Sequence, residues 1–476
     1  MNNPNLSKIK KIYFIGIKGS GVIAVVEILH SRGVEITGSD TAEKFFTDKI
    51  LKGLGIKYFE KFSEDNIPSD ADLIIYSTAY NENNNVEIKK ARELGLPMVS
   101  YPEMLAYLFN QKYGLAVCGT HGKTTTSAWL AHVLKEAGAD PVAVIGSKVA
   151  NWGGNALAGS GEYFVAETDE YQNKLDLYFP KGVILTNCDF DHPDFFKTFD
   201  DYKKVFKDFV GKIPKTGFLV VWGDSVDTLE VAENAKCEFI SYGFGEENDI
   251  TITNWELNAN RQKSENEDGN ESEIATQSFQ LFHDKKDLGK FETRLIGRHN
   301  ILNAAAVVAV SEKLNLDMEK VRDAIKNFKG TSRRFEYIGK RNGAMLFDDY
   351  GHHPEELKAT LRAARENYPG KNIWAVFHPH TFTRTKALLS EFAQSFDDAD
   401  KVIVLDIYGS ARETQGGVHS KDLVSLINKF NRDRAEYIPT IGEAVEYLKD
   451  NISEKDLVIA IGAGNVWEVA EKLKEK

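Results

Sequence analysis

Short apolar runs alternate with helical patterns along almost the whole of this chain. Such alternation is typical of βαβ units, in which helices cover a parallel sheet. The pattern restarts more than once within 476 residues, and a chain of that length exceeds what one hydrophobic core usually serves. The sequence therefore predicts an α/β protein with several domains in series. The apolar runs are IYFIG, VEITG, LIIYS, GLAVCG, YFVAE and VILTN.

Two breaks in this pattern predict three domains. The helical segment PEMLAYLFN ends just before Lys112, and the strand that follows opens a glycine-rich loop of its own. The polar, basic stretch KGTSRRFE follows a helix ending near Phe328 and is typical of a linker. Residues 258–277 are polar, acidic and without hydrophobic period, which predicts a mobile hairpin loop. The expected domains are 1–112, 113–331 and 332–476.

The charge balance restricts the classes of partner. The chain has 59 Lys and Arg against 71 Asp and Glu, a net charge of −12, which repels nucleic acid. No run approaches the roughly 20 apolar residues of a membrane span, and we read no signal peptide or anchor. The three cysteines form no CxxC pair, so neither a disulfide framework nor a zinc site is indicated. We expect a cytoplasmic protein without nucleic-acid or membrane partners.

The segment GTHGKTTT follows a short apolar strand and precedes a helix, which is the context of a phosphate-binding loop. Glycines admit phosphate oxygens to backbone N–H groups, Lys123 supplies a point charge, and the Thr124 hydroxyl can reach Mg²⁺. Val117 stands where the full pattern has its first glycine. The alternative is a glycine turn that only caps a helix. The residues expected to hold nucleotide phosphates are Gly119, Thr120, His121, Gly122, Lys123, Thr124 and Thr125.

A second glycine loop, with Gly16, Gly19 and Gly21, also joins a strand to a helix, and Asp40 closes the next strand. A dinucleotide fingerprint has this layout, with the acid on a ribose. Lys18 occupies a position where that fingerprint needs glycine. The loop is therefore interpreted as a site for a nucleotide or nucleotide-sugar diphosphate, with a tight helix-packing turn as the alternative.

Acidic residues and a histidine follow two more strands. Glu167 and Asp169 come after YFVA, and Asp189, Asp191 and His192 come after VILTNC. Carboxylates and imidazoles at the carboxyl edge of a sheet, beside a phosphate loop, are where metal ligands are expected. Glu167 and His192 are the predicted ligands, whereas the two later aspartates are interpreted as caps or loop charges.

The last domain places polar residues at two strand ends, in DDYGHHPEE and in FHPHTFTRT. Each is followed by a helical pattern, so the side chains are expected to converge on one crevice. Taken singly, each is equally explained as turn or cap chemistry. The residues concerned are Asp348, Tyr350, His352, His353, His380 and Arg384.

Together these motifs resemble the Mur ligases, which build the peptide stem of peptidoglycan. The motifs that carry the resemblance occur in the family's order along the whole chain: GTHGKTTT, NCDFDH, GRHNILNA, SRRFE, DDYGHHP, FHPHTFTRT and GAGNVW. The resemblance implies a Rossmann-like N-terminal domain for the UDP end of the substrate. It also implies a central P-loop ATPase-like domain with a mostly parallel sheet and a Rossmann-like C-terminal domain on the amino-acid side.

The same resemblance assigns roles to residues. By this resemblance, the loop from Gly119 to Thr125 binds the ATP phosphates. Thr124, Glu167 and His192 bind Mg²⁺. His299, Asn300 and Asn303 fall near the adenine, and Arg334 and Asp348 face the phosphates or ribose. The implied substrate-binding residues are Gly16, Gly19, Gly21, Asp40, His192, Tyr350, His352, His380 and Arg384. The implied catalytic residues are Lys123, His352 and Arg384, with His352 as the candidate base.

The activity implied is ATP-dependent joining of L-alanine to the carboxylate of UDP-N-acetylmuramate through an acyl phosphate, in peptidoglycan precursor synthesis. FHPHTFTRT and DIYGSARE favour this single amino acid over the tripeptide that a muropeptide-recycling sibling adds. An NAD-dependent oxidoreductase using the loop at Gly16 is a rival of another class, as is a non-catalytic nucleotide-binding switch.

Two residues depart from the family pattern. Thr381 stands where the family usually has Arg, which leaves the alanine carboxylate one cation short and the choice among Ala, Gly and Ser open. Lys18 replaces a glycine, and one interpretation is that it adds charge for the UDP diphosphate. Whether the protein is a monomer or a homodimer also stays open. A carbamylated lysine, as in some siblings, is a further open question for Lys203, Lys204 and Lys207.

Overall fold

The computed structural model describes residues 9–43, 45, 47–193, 195–265, 271–409, 416–431 and 433–475. Within them the chain forms three sheets of five, ten and six strands in sequence order. The predicted α/β fold with three domains is confirmed. The predicted boundaries at 112/113 and 331/332 fall between these sheets and stay predictions in their exact position. In the described part of the chain, no helix is long and apolar enough to cross a membrane.

The N-terminal sheet is parallel throughout, with strand order β3-β2-β1-β4-β5. The order reverses beside β1, and the crevice beyond the carboxyl end of β1 is where such sheets bind ligands. The last helix begins with a capping box between Ser100 and Glu103. The elements are β1 Lys11–Ile15, α1 Ser20–Ser31, β2 Glu35–Ser39, α2 Thr47–Gly53, β3 Tyr58–Phe59, β4 Leu73–Tyr76, α3 Val86–Glu93, β5 Met98–Ser100 and α4 Tyr101–Asn110.

The middle sheet is mostly parallel, with strand order β15-β14-β13-β12-β11-β10-β6-β9-β7-β8. Antiparallel pairs occur at its two ends, between β13, β14 and β15 and between β7 and β8. The elements are β6 Tyr113–Cys118, α5 Lys123–Glu136, β7 Val142–Val149, β8 Gly154–Ala158, β9 Tyr163–Glu167, β10 Gly182–Leu185, α6 Phe199–Val210, β11 Phe218–Trp222, α7 Val226–Ala232, β12 Glu238–Gly243, β13 Ile250–Glu265, β14 Glu271–His283, β15 Lys286–Thr293, α8 Arg298–Lys313 and α9 Met318–Asn327.

The helix α5 is buried along nearly its whole length between this sheet and the helices α8 and α9. Its core side chains include Trp129, which stacks on Phe328 at 5.0 Å. A helix so enclosed is held rigidly, so the loop at its N-terminus has a fixed position relative to the strand ends.

The C-terminal sheet has the order β16-β17-β21-β18-β19-β20, and only β16 runs antiparallel among its described strands. The elements are β16 Glu336–Arg341, β17 Ala344–Asp349, α10 Pro354–Asn367, β18 Asn372–Phe377, α11 Phe382–Ala387, α12 Leu389–Ala393, β19 Lys401–Val404, α13 Ser420–Asn431, β20 Ala435–Tyr437, α14 Ile441–Asn451, β21 Asp456–Ile461 and α15 Trp467–Leu473.

The prediction of a loop over residues 258–277 is wrong in its extent, because two paired strands occupy most of this segment. β13 continues to Glu265 and pairs there with Glu271 of β14. An antiparallel ladder satisfies its backbone groups without an apolar face, so it extends beyond the core in a polar sequence. Residues 266–270 of the predicted loop lie outside the described residues, as do residues 410–413 of the motif DIYGSARE.

Candidate active site

The predicted phosphate loop connects β6 to α5, and two of its glycines have backbone angles that favour glycine. Gly119 has φ 128° and Gly122 has φ 78°. A Cβ at Gly119 would clash with Thr186, and one at Gly122 would lie 2.8 Å from Oδ1 of Asn303. The glycines therefore let the loop lie close to its neighbours, and within the loop the N–H of His121 donates to Oδ1 of Asn187 at 2.7 Å.

Lys123 begins α5 and its amine points back into the loop. Nζ donates to the carbonyl oxygens of Gly119 at 2.6 Å and Thr120 at 3.1 Å, and it lies 3.0 Å from Oε2 of Glu170. Burial would lower the pKa of Lys123, but the charges of Glu170 and Asp169 raise it above its ordinary value. The amine is therefore charged at neutral pH, and its carboxylate partner holds it at the loop.

Glu170 is fully buried and ties the loop to two further elements. Its Oε1 accepts a hydrogen bond of 2.8 Å from the hydroxyl of Tyr202 on α6. That hydroxyl lies 3.0 Å from Oγ1 of Thr120, which also donates to the carbonyl of Asp189 at 2.8 Å. Sequence reasoning missed Glu170, although it is the third acid at the end of β9. Of Glu167, Asp169 and Glu170, only Glu170 is completely buried. Its burial distinguishes it from the other two acids, whereas its residue type does not.

Carboxylates and an imidazole meet beside the loop in two groups. Asp169, Glu170 and His192 bring one ligand atom each within 4.8 Å of one another. Separately, Glu167 accepts hydrogen bonds from the Thr124 hydroxyl at 2.7 Å and from the Gly146 N–H at 2.6 Å. Carboxylate oxygens and a threonine hydroxyl are suitable donors for Mg²⁺. The predicted ligand set of Thr124, Glu167 and His192 stays a prediction, and Asp169 and Glu170 join it as candidates.

The lysines considered for carbamylation lie on α6 and are bound to acids instead. Nζ of Lys203 lies 2.7 Å from Glu230, and Nζ of Lys207 lies 2.6 Å from the same carboxylate, while Lys204 pairs with Asp208. Hydrogen bonding to Glu230 raises the pKa of Lys203. Because only an unprotonated amine adds CO₂, these ion pairs argue against carbamylation. The neighbouring Tyr202 is the residue that faces the loop.

A cavity that encloses about 1070 Å³ of empty space, part of it open to solvent, lies between the middle and C-terminal domains. Two buried nitrogens in its wall, Nε2 of His121 and Nε1 of Trp222, have no protein hydrogen-bond partner. Orphaned polar atoms in an otherwise largely apolar wall suit a heteroaromatic ligand that carries hydrogen-bonding atoms. The lining residues on the middle-domain side include His121, Gly122, Thr125, Asn187, Trp222, Tyr242, His299, Asn300, Leu302 and Asn303, and those on the other side include Arg334, Phe335, Asp349, Glu356 and Ala363.

The cavity contains most of the residues predicted near ATP, but the assignment of Asp348 needs correction. Asp348 is 2% exposed and accepts a hydrogen bond of 2.9 Å from Nε of Arg333, and it does not line the cavity, whereas Asp349 does. Successive side chains of a strand point to opposite faces, so only one member of the DD pair at the end of β17 can face the nucleotide site. The sequence did not show which.

The structural role of Arg333 was also not predicted from the sequence. Its guanidinium binds Asp348 and also donates to the carbonyls of Gly462 at 2.6 Å and Gly464 at 3.0 Å. The preceding residue, Ser332, donates its N–H to the carbonyl of Lys148 in β7 at 2.8 Å. The linker is therefore bound to the middle domain up to Ser332 and to the C-terminal sheet from Arg333 onward.

The residues predicted to share one crevice in the C-terminal domain lie in separate groups in the structure. Nη1 of Arg384 lies 3.3 Å from Nδ1 of His380, and the rings of His380 and His352 are 6.0 Å apart. His353 instead packs on His121 of the phosphate loop, with ring centroids 4.7 Å apart. Tyr350 lies under the guanidinium groups of Arg333 and Arg334. Of the residues predicted for this crevice, only His352, His380 and Arg384 therefore form one group.

The N-terminal glycine loop is built around tight packing. Gly16 has φ 82°, and a Cβ there would lie 2.8 Å from the side chains of Ser77 and Tyr80. Gly19 donates its N–H to the carbonyl of Gly16 at 3.3 Å. A Cβ at Gly21 would lie 2.6 Å from the ring of Tyr101. Glycine is thus needed here for close approach of the loop to the residues that follow β4 and to α4.

Asp40 and Lys18 both make hydrogen bonds within and beside this loop. The Asp40 carboxylate accepts the N–H groups of Lys18 and Thr41, each at 2.7 Å, and its predicted contact with a ribose stays a prediction. The Lys18 side chain is buried, and its amine donates to the carbonyls of Thr41 at 2.8 Å and Glu43 at 3.0 Å. It also lies 3.2 Å from Oδ1 of Asp48. Since these partners surround the amine, it is not free to add charge for a diphosphate.

Three family descriptions match the chain in series. They are "Mur ligase family, catalytic domain" over residues 11–113, "Mur ligase middle domain" over 117–311 and "Mur ligase, glutamate ligase domain" over 333–464. These segments follow the three sheets.

Full-length relatives agree with these matches. The chain is 41% identical over 464 residues to UDP-N-acetylmuramate–L-alanine ligase of Desulfitobacterium hafniense, covering 97% of this chain and 99% of that one. It is also 41% identical over 473 residues to the enzyme of that name from Caldanaerobacter subterraneus subsp. tengcongensis, covering 99% of each chain. The crystal structure of UDP-N-acetylmuramate-alanine ligase from Thermotoga maritima matches with a TM-score of 0.77 at 26% identity, covering 97% of this chain and 98% of that one.

Proposed function

Because this chain belongs to the Mur ligase family, we propose that it joins L-alanine to the carboxylate of UDP-N-acetylmuramate at the expense of ATP. The observation that carries the proposal is a continuous series of contacts between the two domains. It runs from Lys123 through Glu170, His192 and Asp191 to Arg384 of the C-terminal domain. The near full-length identity to two L-alanine ligases supports the choice of amino acid. Neither the tripeptide-adding sibling nor an oxidoreductase is favoured by these relatives.

The chemistry proceeds in two steps whose atoms balance. A carboxylate oxygen of UDP-N-acetylmuramate attacks the γ-phosphorus of ATP, giving an acyl phosphate and ADP. The amine of L-alanine then attacks the acyl carbon, the C–O bond to phosphate breaks, and inorganic phosphate leaves. Lys123 neutralises the charge that develops on the phosphoryl oxygens. Enclosure between the domains holds the reactants together and excludes water from the acyl phosphate.

Mg²⁺ is part of the proposal. Thr124, Glu167 and His192 would hold the ion, with Asp169 and Glu170 beside them, and their hydroxyl, carboxylate and imidazole donors fit it. When bound, the ion supplies positive charge to the transferring phosphoryl group. The loop from Gly119 to Thr125 would hold the phosphates of the nucleotide beside the ion.

The ammonium group of alanine must lose a proton before attack, and His352 is the candidate acceptor. Burial lowers the pKa of His352 to about 3, so the ring is neutral at neutral pH and has a lone pair to offer. Its Nδ1 lies 3.1 Å from the carbonyl of Tyr350, which favours a proton on Nδ1 and leaves Nε2 as the accepting atom. Because an ammonium nitrogen has no lone pair, this proton transfer precedes the attack, and with a ring of such low pKa as the acceptor it is an uphill step.

Both nucleotide substrates belong to the cytoplasm, and we place the enzyme there, in peptidoglycan precursor synthesis. The test supplies ATP, Mg²⁺ and UDP-N-acetylmuramate with L-alanine, glycine, L-serine or the tripeptide L-alanyl-γ-D-glutamyl-meso-diaminopimelate, and measures ADP release and amide product. We expect turnover with L-alanine and none after removal of Mg²⁺ by EDTA. ADP release with the tripeptide alone would overturn the proposal.

A further inference from the structure

A buried ion pair connects the middle domain to the C-terminal domain. Asp191 follows β10, and Arg384 lies on α11, 193 residues later. Nε of Arg384 lies 3.0 Å from Oδ1 of Asp191, and Nη2 lies 3.4 Å from Oδ2. Asp191 is 5% exposed and Arg384 is 6% exposed. The pair is therefore a fixed part of the domain interface.

The N–H groups of the Arg384 guanidinium have different partners. A guanidinium has five N–H groups, and Asp191 takes those on the side that Nε and Nη2 share. A third, on Nη1, points to Nδ1 of His380 at 3.3 Å. Because arginine only donates, Nδ1 of His380 must carry a lone pair there. Within the described part of the chain, the two other N–H groups, one on Nη1 and one on Nη2, have no hydrogen-bond partner and can bind an anion.

Asp191 is enclosed by hydrogen-bond donors. The N–H of His192 donates to its Oδ1 at 2.7 Å, and Nε of Arg384 donates to the same oxygen at 3.0 Å. An ionised carboxylate enclosed to this degree needs a cation. Arg384 is that cation. Asp191, which belongs to the other domain, fixes the orientation of its guanidinium.

We propose that Asp191 is a positioning residue for the amino-acid substrate. It holds Arg384 so that the outer Nη1 and Nη2 atoms bind the carboxylate of the incoming L-alanine. Since Asp191 and Arg384 come from different domains, the amino-acid site is complete only while the C-terminal domain is docked on the middle domain. The inference rests on the proposed function and goes beyond it by assigning a role to Asp191.

The sequence had suggested a loop charge for Asp191, and the alternative is that it only stabilises the interface. Asp191→Asn distinguishes the two, because it keeps the size of the side chain and removes its charge. We expect the KM for L-alanine to rise about 10- to 100-fold, as for loss of a charge-assisted hydrogen bond, with the KM values for ATP and UDP-N-acetylmuramate within about twofold of wild type.

Asp456→Asn is the matched control. Asp456 is equally buried at 5% exposure and hydrogen-bonded to Ser453, Asn372 and Trp374, but it lies at the start of β21, far along the strand from the site. It should leave all three KM values unchanged. If Asp191→Asn does not fold, Asp191→Glu keeps the charge and shifts it by one methylene, and a rise in the KM for L-alanine alone is again expected.

A double-substitution cycle tests whether Asp191 acts through Arg384. In an Arg384→Lys background, which loses the two-pronged guanidinium, Asp191→Asn should have little further effect on the KM for L-alanine. Equal effects in both backgrounds would overturn the proposal, as would an unchanged KM for L-alanine in the single variant. If the wild-type enzyme does not use L-alanine, the proposed function itself fails, which is a separate outcome.

Discussion

Nζ of Lys123 lies 3.0 Å from Oε2 of Glu170, and both side chains are enclosed beside the phosphate loop. The same glutamate receives the hydroxyl of Tyr202. Lys123 is thus held in place before any nucleotide binds, and Glu170 balances its charge in a site that also contains Asp169 and His192. A lysine fixed in this way loses little freedom when it binds a phosphoryl group.

Glu170→Gln should destabilise the folded protein. Removing one member of a buried ion pair leaves the other charge uncompensated, and we expect the free energy of unfolding to fall by about 3 kcal/mol. Urea denaturation followed by circular dichroism measures the change. Glu230→Gln is the control, because Glu230 pairs with Lys203 and Lys207 on the surface and should leave the midpoint unchanged. An unaltered midpoint for Glu170→Gln would show that Lys123 has another counter-charge.

Lys123→Ala should slow ligation strongly even in protein that remains folded, although it also removes one member of the buried ion pair with Glu170. Alanine is a good residue for the first turn of a helix, but it cannot neutralise the transferring phosphoryl group, and we expect kcat to fall by at least about 100-fold. ADP release in the presence of all three substrates measures it. Lys135→Ala, an exposed substitution in the last turn of the same helix, should leave the rate unchanged. Full ligation by Lys123→Ala would contradict the assignment of the loop.

The sequence predicted those parts of the site whose chemistry is local. The loop from Gly119 to Thr125 is recognisable because its glycines, its lysine and the helix that follows are contiguous. Asp348 and Asp349 could not be told apart from the sequence, since which face of β17 meets the cavity depends on the packing of the whole domain. The role of Lys18 was likewise set by Asp48, which is distant in sequence and reaches the amine only in the folded chain.

Buried histidines should make the protein sensitive to mild acid. His132 is 3% exposed, and burial lowers its pKa to about 4. Among the described residues neither ring nitrogen has a hydrogen-bond partner, and Nδ1 lies 3.9 Å from Oε1 of Glu136. The unfolded chain binds a proton near pH 6.5, so the stability that neutral His132 permits is present above pH 6.5 and is lost as the pH falls toward 4. At pH 5.5 this single group should lower the free energy of unfolding by about 1 kcal/mol.

His132→Leu isolates that contribution. Leucine suits the helical position and the apolar contact with Phe328, and it does not titrate. Urea unfolding at pH 7.5 and pH 5.5 should show a smaller loss of stability for the variant than for the wild type, by about 1 kcal/mol. Identical pH dependence of the two proteins would mean that His132 is hydrated or protonated in the folded state.

Lys18→Met separates a structural role for this lysine from a role in binding. Its amine is surrounded by the carbonyls of Thr41 and Glu43 and the carboxylate of Asp48, and methionine fills a similar volume without donating. The unpaired acceptors should cost about 2 kcal/mol of unfolding free energy. Lys11→Met, which removes an exposed pair with Asp70, should cause no measurable change. Because the Lys18 amine is buried among these acceptors, the KM for UDP-N-acetylmuramate should stay within about threefold of wild type. A rise of tenfold or more in that KM, with stability unchanged, would instead place the amine on the diphosphate and overturn the structural role.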